Sequence, residues 1–424
     1  SRALHEAVTA SRSELKSPLR LGWEFFKIGC VSFGGFMAVI SVGGDVFARR
    51  LGWIKHEDML DGVSLANILP GPQAVNTTAY VGYACGGPLG ALASVIGIVT
   101  PTFIMVTVLT FLYFGVAQNM TMLDGFFVGL IPAVAAVILS VVLRMWSKCV
   151  REPLTWVIAV GAAVLLLLSP ASIKLWVNLG VLAGAAFAGM ARLQPDDAPL
   201  PPDAPMPTAR LVAMVGLPLA LAGLYLAAPP LDPDGIAQIG LTFAGLSVLL
   251  FGGGYVFIPL IMDAVVTNAG WLTAAQFNDG IAFSQMTPGP IVICAAFIGQ
   301  KVAMDQFGPL WGIVGGLVAT VAIFGPPAIL MIAASQIFDH IKANRRAQGA
   351  LRGIRAAVVG MIAAAVVIIL KISLPQDQAP LSEYVSVMLP SLLIMGASFV
   401  ALVRFKMSLA VVIPLAGVLG WFVF

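Results

Sequence analysis

Two related stretches of the sequence decide the fold: SLANILPGPQAVNTT at 64–78 and AFSQMTPGPIVICAA at 282–296. Each lies within an apolar segment that is interrupted by a Pro-Gly-Pro (PGP) triplet. Proline lacks a backbone N–H and fits the first turn of a helix, while glycine adopts backbone angles that other residues avoid. A PGP triplet in an apolar segment therefore predicts that one short helix ends there and a second one begins.

The two PGP stretches belong to a longer internal repeat with an offset of 218 residues. Between 33–72 and 251–290, 12 of 40 aligned positions are identical without a gap. Apolar low-complexity sequence does not produce matched Asp, Trp and PGP at one offset, so the pattern predicts an internal duplication. The matches include Phe-Gly-Gly (FGG) at 33–35 and 251–253, Gly-Trp at 52–53 and 270–271, and Asp-Gly at 61–62 and 279–280.

The composition of the chain is that of a protein that lies in a membrane. The 424 residues are 59% hydrophobic and 10% charged, with a net charge of +3 and a mean hydropathy of +0.97. Soluble domains carry about 25% charged residues, so this chain has too few charges to cover a surface in water. Apolar runs of about 20 residues recur, as bilayer-spanning helices require. The sequence predicts an all-α polytopic membrane protein.

Residues typical of enzymatic chemistry are sparse and scattered. The four cysteines form no Cys-x-x-Cys pair, the three histidines lack metal-ligand spacing, and no nucleotide phosphate loop is present. Lone thiols in apolar helices are usually structural. We therefore expect no catalytic residues, no metal, no cofactor and no nucleic-acid partner, and a membrane enzyme is the least favoured class.

Four regions follow from the distribution of polar and apolar residues. Residues 1–20 are polar and basic and predict an amphipathic N-terminal arm in the cytoplasm. Residues 21–192 and 236–424 are predicted to form two transmembrane repeats. Residues 193–235 combine a Pro- and Asp-rich linker, which neither forms a helix nor enters hydrocarbon, with one connecting transmembrane helix.

The positions of Lys and Arg predict that the two homologous repeats have inverted topology. One extra span at 210–228 reverses the second half, and the basic loops then lie in the cytoplasm, as the positive-inside rule requires. The loop that carries Arg49, Arg50 and Lys55 fits this rule only if the FGG and PGP segments fold as re-entrant hairpins. Each PGP triplet leaves arms of about 12 residues, half of the bilayer thickness. For the FGG segments, full spans stay open as an alternative.

The start of a broken helix in a membrane is a predicted anion site. Its first N–H groups have no intrahelical acceptor, and the helix dipole is positive there. Amide and hydroxyl side chains surround both PGP turns, and the FGG glycines would let a second pair of helix ends approach. The alternatives are a proline kink with locally paired hydroxyls and simple glycine packing. The predicted substrate-binding residues are Gly34, Gly35, Asn67, Pro70, Gly71, Pro72, Gln73, Asn76, Thr77, Gly252, Gly253, Ser284, Gln285, Thr287, Pro288, Gly289 and Pro290.

Few charged residues lie within or beside the apolar segments, which makes each a candidate for function. Lys27 and Lys301 are candidate cations for an anionic substrate. The alternatives are an interfacial ion pair between Glu24 and Lys27 and helix caps for the Asp-Gly pairs. The candidates for proton coupling are Glu24, Asp45, Asp61, Asp263 and Asp279.

The motifs resemble the chromate transporter family in its long, two-domain form. WEFFKIGCVSFGGFMAVI at 23–40 and LANILPGPQAVNTTAYVGY at 65–83 resemble the first repeat of that family. FGGGYVFIPL at 251–260 and FSQMTPGPIVICAAFIG at 283–299 resemble the second. The resemblance implies export of the chromate dianion from the cytoplasm, chromate resistance, and relatedness to sulfate, which has the same shape and charge.

We therefore expect a secondary transporter of the inner (cytoplasmic) membrane that exports a tetrahedral oxyanion, chromate or sulfate, by alternating access. Coupling to protons or to a counter-anion and assembly as a homodimer are compatible with the sequence. Two alternatives stay open: uptake of sulfate or another anion, and an anion channel.

Overall fold

The computed structural model describes residues 15–33, 36–66, 69–115, 124–170, 173–195, 208–227, 235–249, 257–335, 343–372 and 381–424. Within these ranges the chain is helical and contains no strand. In the same ranges, five helices are long and apolar enough to cross a membrane. Large apolar side chains are exposed, such as Leu168 at 78% and Val321 at 70%. A lipid environment explains this surface. The prediction of an all-α polytopic membrane protein is confirmed.

The helices form two series that a single helix connects. The first series is α1 (Pro18–Val31), α2 (Phe36–Gly44), α3 (His56–Ala66), α4 (Gln73–Gly115), α5 (Asp124–Cys149), α6 (Pro153–Leu168) and α7 (Lys174–Arg192). The connecting helix is α8 (Thr208–Ala227). The second series is α9 (Ile236–Ser247), α10 (Phe257–Met262), α11 (Ala274–Met286), α12 (Cys294–Phe307), α13 (Trp311–Ser335), α14 (Arg345–Ile372), α15 (Leu381–Val403) and α16 (Leu409–Val423).

Helix α4 reverses direction at Gly87 and consists of two limbs, 73–85 and 88–115. Gly87 has a φ of +63°, which is outside the helical range. The limbs then pack closely against each other, because a Cβ added to Gly82 would lie 2.7 Å from the carbonyl oxygen of Gly90. The turn falls between the apolar runs at 59–84 and 88–115 of the sequence.

The second series contains the same reversal between α12 and α13. Gly308 has a φ of +99° at this turn. The two helices approach closely, since a Cβ added to Gly299 would lie 2.5 Å from the carbonyl oxygen of Gly315. Glycine is required at these contacts because any side chain would separate the helices.

Each PGP triplet forms the tip of a helical hairpin. A Cβ on Gly62 of α3 would lie 2.5 Å from the ring of Tyr80, and a Cβ on Gly280 of α11 would lie 2.5 Å from the ring of Phe297. Helix α3 has 11 residues and α11 has 13, so each arm is about 16–20 Å long, roughly half of a bilayer. These dimensions fit re-entrant hairpins, and their depth in a membrane stays a prediction.

The chain also reverses between α1 and the residues after α2. The rings of Phe25 and Phe47 stack with their centroids 4.6 Å apart. The guanidinium carbon of Arg20 lies 5.0 Å from the centroid of the Trp53 ring. The segment after the FGG motif therefore returns to the start of α1, as a hairpin would.

Local backbone structure recurs at the offset found in the sequence. A π-helical segment continues α2 over Asp45–Arg50, and another continues α10 over Asp263–Asn268. After each of them, the backbone N–H of a tryptophan donates to the carbonyl oxygen six residues earlier. The distance is 2.9 Å from Trp53 to Phe47 and 2.8 Å from Trp271 to Val265. The matched segments thus have similar local backbone structure at these positions.

The two series interlock through their long helices. Helix α5 packs against α15 and α16, while α14 packs against α6 and α7. Glycines make both contacts close: a Cβ on Gly129 would lie 2.6 Å from the carbonyl oxygen of Ala416, and a Cβ on Gly353 would lie 2.0 Å from that of Ala185. Each half therefore completes the packing of the other.

The two PGP hairpins meet limb 88–115 of α4 from different ends. The first hairpin is continuous with the start of this limb through the turn at Gly87. The second hairpin lies beside its end, where the Tyr113 hydroxyl donates to Asp279 Oδ2 at 2.7 Å. The ammonium of Lys301 is 5.1 Å from the centroid of the Phe114 ring, at the same end.

Candidate oxyanion site

The central glycine of each PGP triplet has a backbone conformation that only glycine adopts readily. Gly71 has a φ of +106° and Gly289 a φ of +115°. A Cβ on Gly71 would lie 2.2 Å from Cβ of Pro327, and a Cβ on Gly289 would lie 2.3 Å from Oγ1 of Thr102. Pro327 belongs to the second half and Thr102 to the first. Each PGP turn is therefore seated against a long helical segment of the opposite half.

The second PGP turn is tied to the first half by hydrogen bonds. The Thr102 hydroxyl donates to the carbonyl oxygen of Pro288. The N–H of Gly289 donates to the carbonyl oxygen of Ser32 at 3.1 Å. Thr102 lies midway along limb 88–115, which is long enough to cross a bilayer. The turn therefore lies at the middle of a span-length segment.

The first PGP turn is braced by the helix that follows it. Asn76 Nδ2 donates to the carbonyl oxygen of Pro70 at 3.0 Å, and the Asn76 N–H donates to that of Pro72 at 3.0 Å. Helix α4 begins at Gln73, whose side chain is half-buried. The N–H groups of its first turn have no intrahelical acceptor, so this helix start offers donors to an anion.

Several polar side-chain atoms near the two turns are buried without a protein partner. Gln285, which is only 4% exposed, has both amide atoms unpaired. An unpaired buried polar group costs about 1–3 kcal/mol. A cluster of such groups is expected where a polar ligand or water completes the hydrogen bonds. The unpaired atoms are Ser32 Oγ, Asn76 Oδ1, Thr77 Oγ1, Thr78 Oγ1, Gln285 Nε2 and Gln285 Oε1.

Two predicted donors in the second half already use their hydroxyl protons. Ser284 Oγ donates to the carbonyl oxygen of Gly280 at 2.8 Å, and Thr287 Oγ1 donates to that of Ser284 at 3.1 Å. The helix after this turn also begins later than expected. A short 3-10 turn over Ile291–Ile293 precedes α12. Of the three predicted side-chain donors Ser284, Gln285 and Thr287, Gln285 is therefore the one that an anion could engage without breaking a hydrogen bond.

The two candidate cations are both paired with carboxylates. Lys27 Nζ lies 2.8 Å from Glu24 Oε2, in an i,i+3 pair on α1. Lys301 Nζ pairs with Asp305 on α12. Neither ammonium is presented as a bare charge, which fits a site that binds its anion through dipoles and neutral donors. Among the described residues, no group of three or more His, Cys, Asp or Glu is placed to hold a metal ion.

The four aspartates at repeat-related positions have different environments. Asp279 is 4% exposed and accepts the hydrogen bond from Tyr113. Asp263 is 5% exposed and accepts from Asn178 Nδ2 at 3.0 Å. Asp61 is half-buried within α3. The side chain of Asp45 is 60% exposed and pairs with Arg49 at 2.9 Å. Only tertiary packing distinguishes these carboxylates.

Some candidate residues lie outside the described part of the chain, and some partners were missed. Gly34, Gly35, Asn67, Gly252 and Gly253 fall outside the described residues. No sequence motif indicated the contacts that Ser32, Thr102, Tyr113, Asn178 and Pro327 make. Prolines inside the long helices were a signal for the two contacts between the halves. Pro101 precedes Thr102, which contacts the second PGP turn, and Pro326 precedes Pro327, which contacts the first.

Comparison with known proteins matches the chain to one family over most of its length. The family model described as "Chromate transporter" matches residues 19–190 and 237–421. The chain belongs to the chromate transporter family. The two matched segments correspond to the two halves, and the connecting helix α8 lies between them. No solved structure matches the chain.

Curated members of the chromate transporter family are similar along almost the whole sequence. The chromate transport protein of Pseudomonas aeruginosa is 29% identical over 408 residues, which is 94% of this chain and 91% of that protein. The probable chromate transport protein of Synechococcus elongatus is 29% identical over 347 residues, which is 81% of this chain and 82% of that protein. The chromate transport protein of Cupriavidus metallidurans is 27% identical over 395 residues, which is 90% of this chain and 92% of that protein.

Proposed function

We propose that this chain exports a tetrahedral oxyanion, chromate or sulfate, across the cytoplasmic membrane by alternating access, and so confers chromate resistance. The observation that carries the proposal is the set of unpaired, buried amide and hydroxyl groups beside two PGP turns that are seated in opposite halves. The names of the family and of its curated members supply chromate as the substrate. We infer that the two helix starts face a common site, where they would offer donors to a dianion from two sides.

The chemistry of the site supports binding that is strong enough for selection and weak enough for release. The donors are helix N-H groups, the hydroxyls of Thr77 and Thr78, and the amide of Gln285. The candidate lysines are already neutralised by Glu24 and Asp305, so they would not trap the anion. A transporter needs this balance because its substrate must leave on the opposite side.

The proposal of alternating access rests on the predicted inverted topology and on the re-entrant interpretation of the two hairpins. The tips of both hairpins contact the interiors of long helical segments, and their arms are half a bilayer long. In transporters with inverted repeats, the substrate site lies at the repeat interface near the midplane. Rocking of one half against the other would open the site first to one side and then to the other.

We propose the Asp279–Tyr113 pair as the point of proton coupling. It joins α11 of the second half to α4 of the first, so a change in its protonation acts at the interface between the halves. Buried carboxylates in membrane segments are typical of proton relays. Export of a dianion is also favoured by the inside-negative potential, by about 2.3 kcal/mol per charge per 100 mV.

Flux measurements in proteoliposomes distinguish this proposal from its alternatives. Labelled chromate and sulfate are followed under imposed pH and voltage gradients. A coupled exporter moves the anion against its gradient when a proton gradient is imposed. An anion channel dissipates the anion gradient without any fixed stoichiometry, and an uptake system concentrates the anion under the opposite gradient.

Replacement of Gln285 by methionine is expected to stabilise the empty protein and to weaken oxyanion binding. The substitution removes two unpaired buried amide atoms while keeping a side chain of similar length, so the apparent melting temperature should rise. Loss of the donor should weaken chromate binding by about 1–3 kcal/mol, which is roughly 5–150-fold. Binding titration and thermal unfolding of the purified protein measure both effects.

The matched control is Gln306→Met, which changes an exposed glutamine on α12. It should leave the chromate affinity close to that of the native protein. Unchanged chromate affinity in Gln285→Met would place the substrate elsewhere.

Cysteine labelling tests the predicted topology. We expect Arg50→Cys and Arg346→Cys, both at exposed positions, to react with an impermeant reagent from the cytoplasmic side. Gln306→Cys should react from the outside, because the predicted inverted topology puts the ends of the second hairpin on the side opposite to those of the first. The labelling is done on intact cells and on inverted vesicles. External labelling at position 50 would contradict the hairpin topology.

A further inference from the structure

A second feature that could hold an oxyanion lies away from the PGP turns, at the end of α5 and the start of α14. A cavity of about 300 Å³ opens there, lined by residues of α5, α14 and the start of α6. Its volume corresponds to about ten water molecules, which is room for a hydrated tetrahedral anion. The lining residues are Lys148, Cys149, Arg151, Glu152, Thr155, Arg352 and Arg355.

The charge of the cavity lining is strongly positive. Four of its side chains are cationic and one, Glu152, is acidic. Glu152 lies 4.0 Å from Arg352, at the limit of an ion pair, and both side chains are about half exposed. Such a pair neutralises little of the local charge. Lys148 and Arg151 add further positive charge to the same cavity, so an anion between these side chains and Arg352 would lower the free energy of the folded state.

The cavity joins both halves of the protein. Lys148 lies in α5 of the first half and Arg151 lies directly after that helix, whereas Arg352 and Arg355 lie in α14 of the second half. Trp146 and Trp156, whose edge-to-face rings have centroids 4.7 Å apart, lie two residues before Lys148 and one residue after Thr155 in the chain. Tryptophan is enriched at the level of lipid headgroups, so the cavity is expected at the membrane surface.

We propose that this basic cavity is a second oxyanion site, which binds a sulfate- or phosphate-type group and clamps α14 against α5 and α6. The shared chemistry is a tetrahedral group with two negative charges or one, held by several guanidinium and ammonium donors. A free anion and the headgroup of an anionic lipid both present it. The site is separate from the PGP turns, so its occupancy is independent of the proposed transport function.

Cys149, which lines the cavity, serves as the reporter. It is half-buried, Cys85 and Cys294 are buried, and Cys30 is exposed, so a Cys30→Ser background leaves Cys149 as the accessible thiol among the described cysteines. We expect an anionic methanethiosulfonate to react faster than a cationic one of similar size, because the cavity attracts anions. Sulfate or phosphate at constant ionic strength should slow the reaction.

Two variants should change the protection of Cys149 by sulfate in opposite directions. The double variant Lys148→Gln, Arg352→Gln should lose the preference for the anionic reagent and weaken protection by sulfate by at least roughly tenfold. Glu152→Gln should strengthen protection, because it removes the acidic group of the lining. The control Arg346→Gln removes one charge from the exposed start of α14, outside the cavity. It should change neither the preference for the anionic reagent nor the protection by sulfate.

Nanodiscs of two compositions identify the source of the oxyanion. Protection by sulfate or phosphate in discs of phosphatidylcholine assigns the site to a free anion. Protection in discs that contain phosphatidylglycerol, without added anion, assigns it to a lipid headgroup. Equal rates with both reagents, together with no protection in either disc, would overturn the proposal. None of these measurements depends on transport, so a failed flux assay and a failed second site are distinguishable.

Discussion

Replacement of Gly71 or Gly289 by valine is expected to abolish oxyanion transport. Both residues have φ above +100°, where a β-branched residue is strongly strained. The new Cβ would also lie 2.2 Å from Pro327 or 2.3 Å from Thr102. Overpacking costs about 1–3 kcal/mol and occasionally more. Because the obstructing atoms belong to the opposite half, the hairpin tip must move away, and the donors beside it move with it.

Flux of labelled chromate in proteoliposomes measures this effect, and we expect a decrease of at least roughly 10–100-fold, since each 1.4 kcal/mol is about a factor of ten. The matched control is Gly308→Val. Gly308 has a φ of +99°, but apart from its own chain neighbours no atom of the described residues lies within 4 Å of its added Cβ. It therefore carries similar backbone strain without the collision between halves.

The comparison between the three variants separates strain from displacement of the turn. Gly308→Val should retain most of the flux, and thermal unfolding should show how much stability each substitution removes. Wild-type flux in Gly71→Val and Gly289→Val would show that the PGP tips do not position the substrate. Equal losses in all three variants would attribute the effect to backbone strain alone.

Replacement of Asp279 by asparagine is expected to uncouple transport from the pH gradient. Asparagine keeps the shape and can still accept the hydrogen bond from Tyr113, but it binds and releases no proton. In proteoliposomes, flux driven by a pH gradient at zero voltage should fall to the level without a gradient. Flux driven by voltage at equal pH should persist, because the dianion still crosses down its electrical gradient.

Asp45→Asn is the matched control for this experiment. Asp45 occupies a repeat-related motif, but its side chain is 60% exposed and pairs with Arg49 at the surface. An exposed ion pair contributes little, so pH dependence should be unchanged. Normal pH dependence in the Asn variants of Asp45, Asp61, Asp263 and Asp279 alike would show that these carboxylates have a structural role.

The sequence alone predicted the membrane class and the points where helices break, while the internal duplication stays a prediction. These features follow from local chemistry. Proline cannot donate a backbone hydrogen bond, glycine tolerates positive φ, and a chain with 10% charged residues cannot cover itself in water. Gly71 and Gly289 adopt the left-handed backbone that the PGP pattern indicates. The two aligned stretches, which share 12 identical positions, also contain the π-helical segments Asp45–Arg50 and Asp263–Asn268.

Only the tertiary structure decided which polar groups are partnered and which are not. Ser284 and Gln285 are neighbours in one motif, yet the serine donates within its helix while the glutamine amide is buried without a partner. Asp45 and Asp263 occupy equivalent sequence positions, yet one is exposed and the other buried against Asn178. Burial and hydrogen bonding depend on which distant segments pack together. A local motif specifies where a helix breaks, but the opposite half of the protein determines what that break can bind.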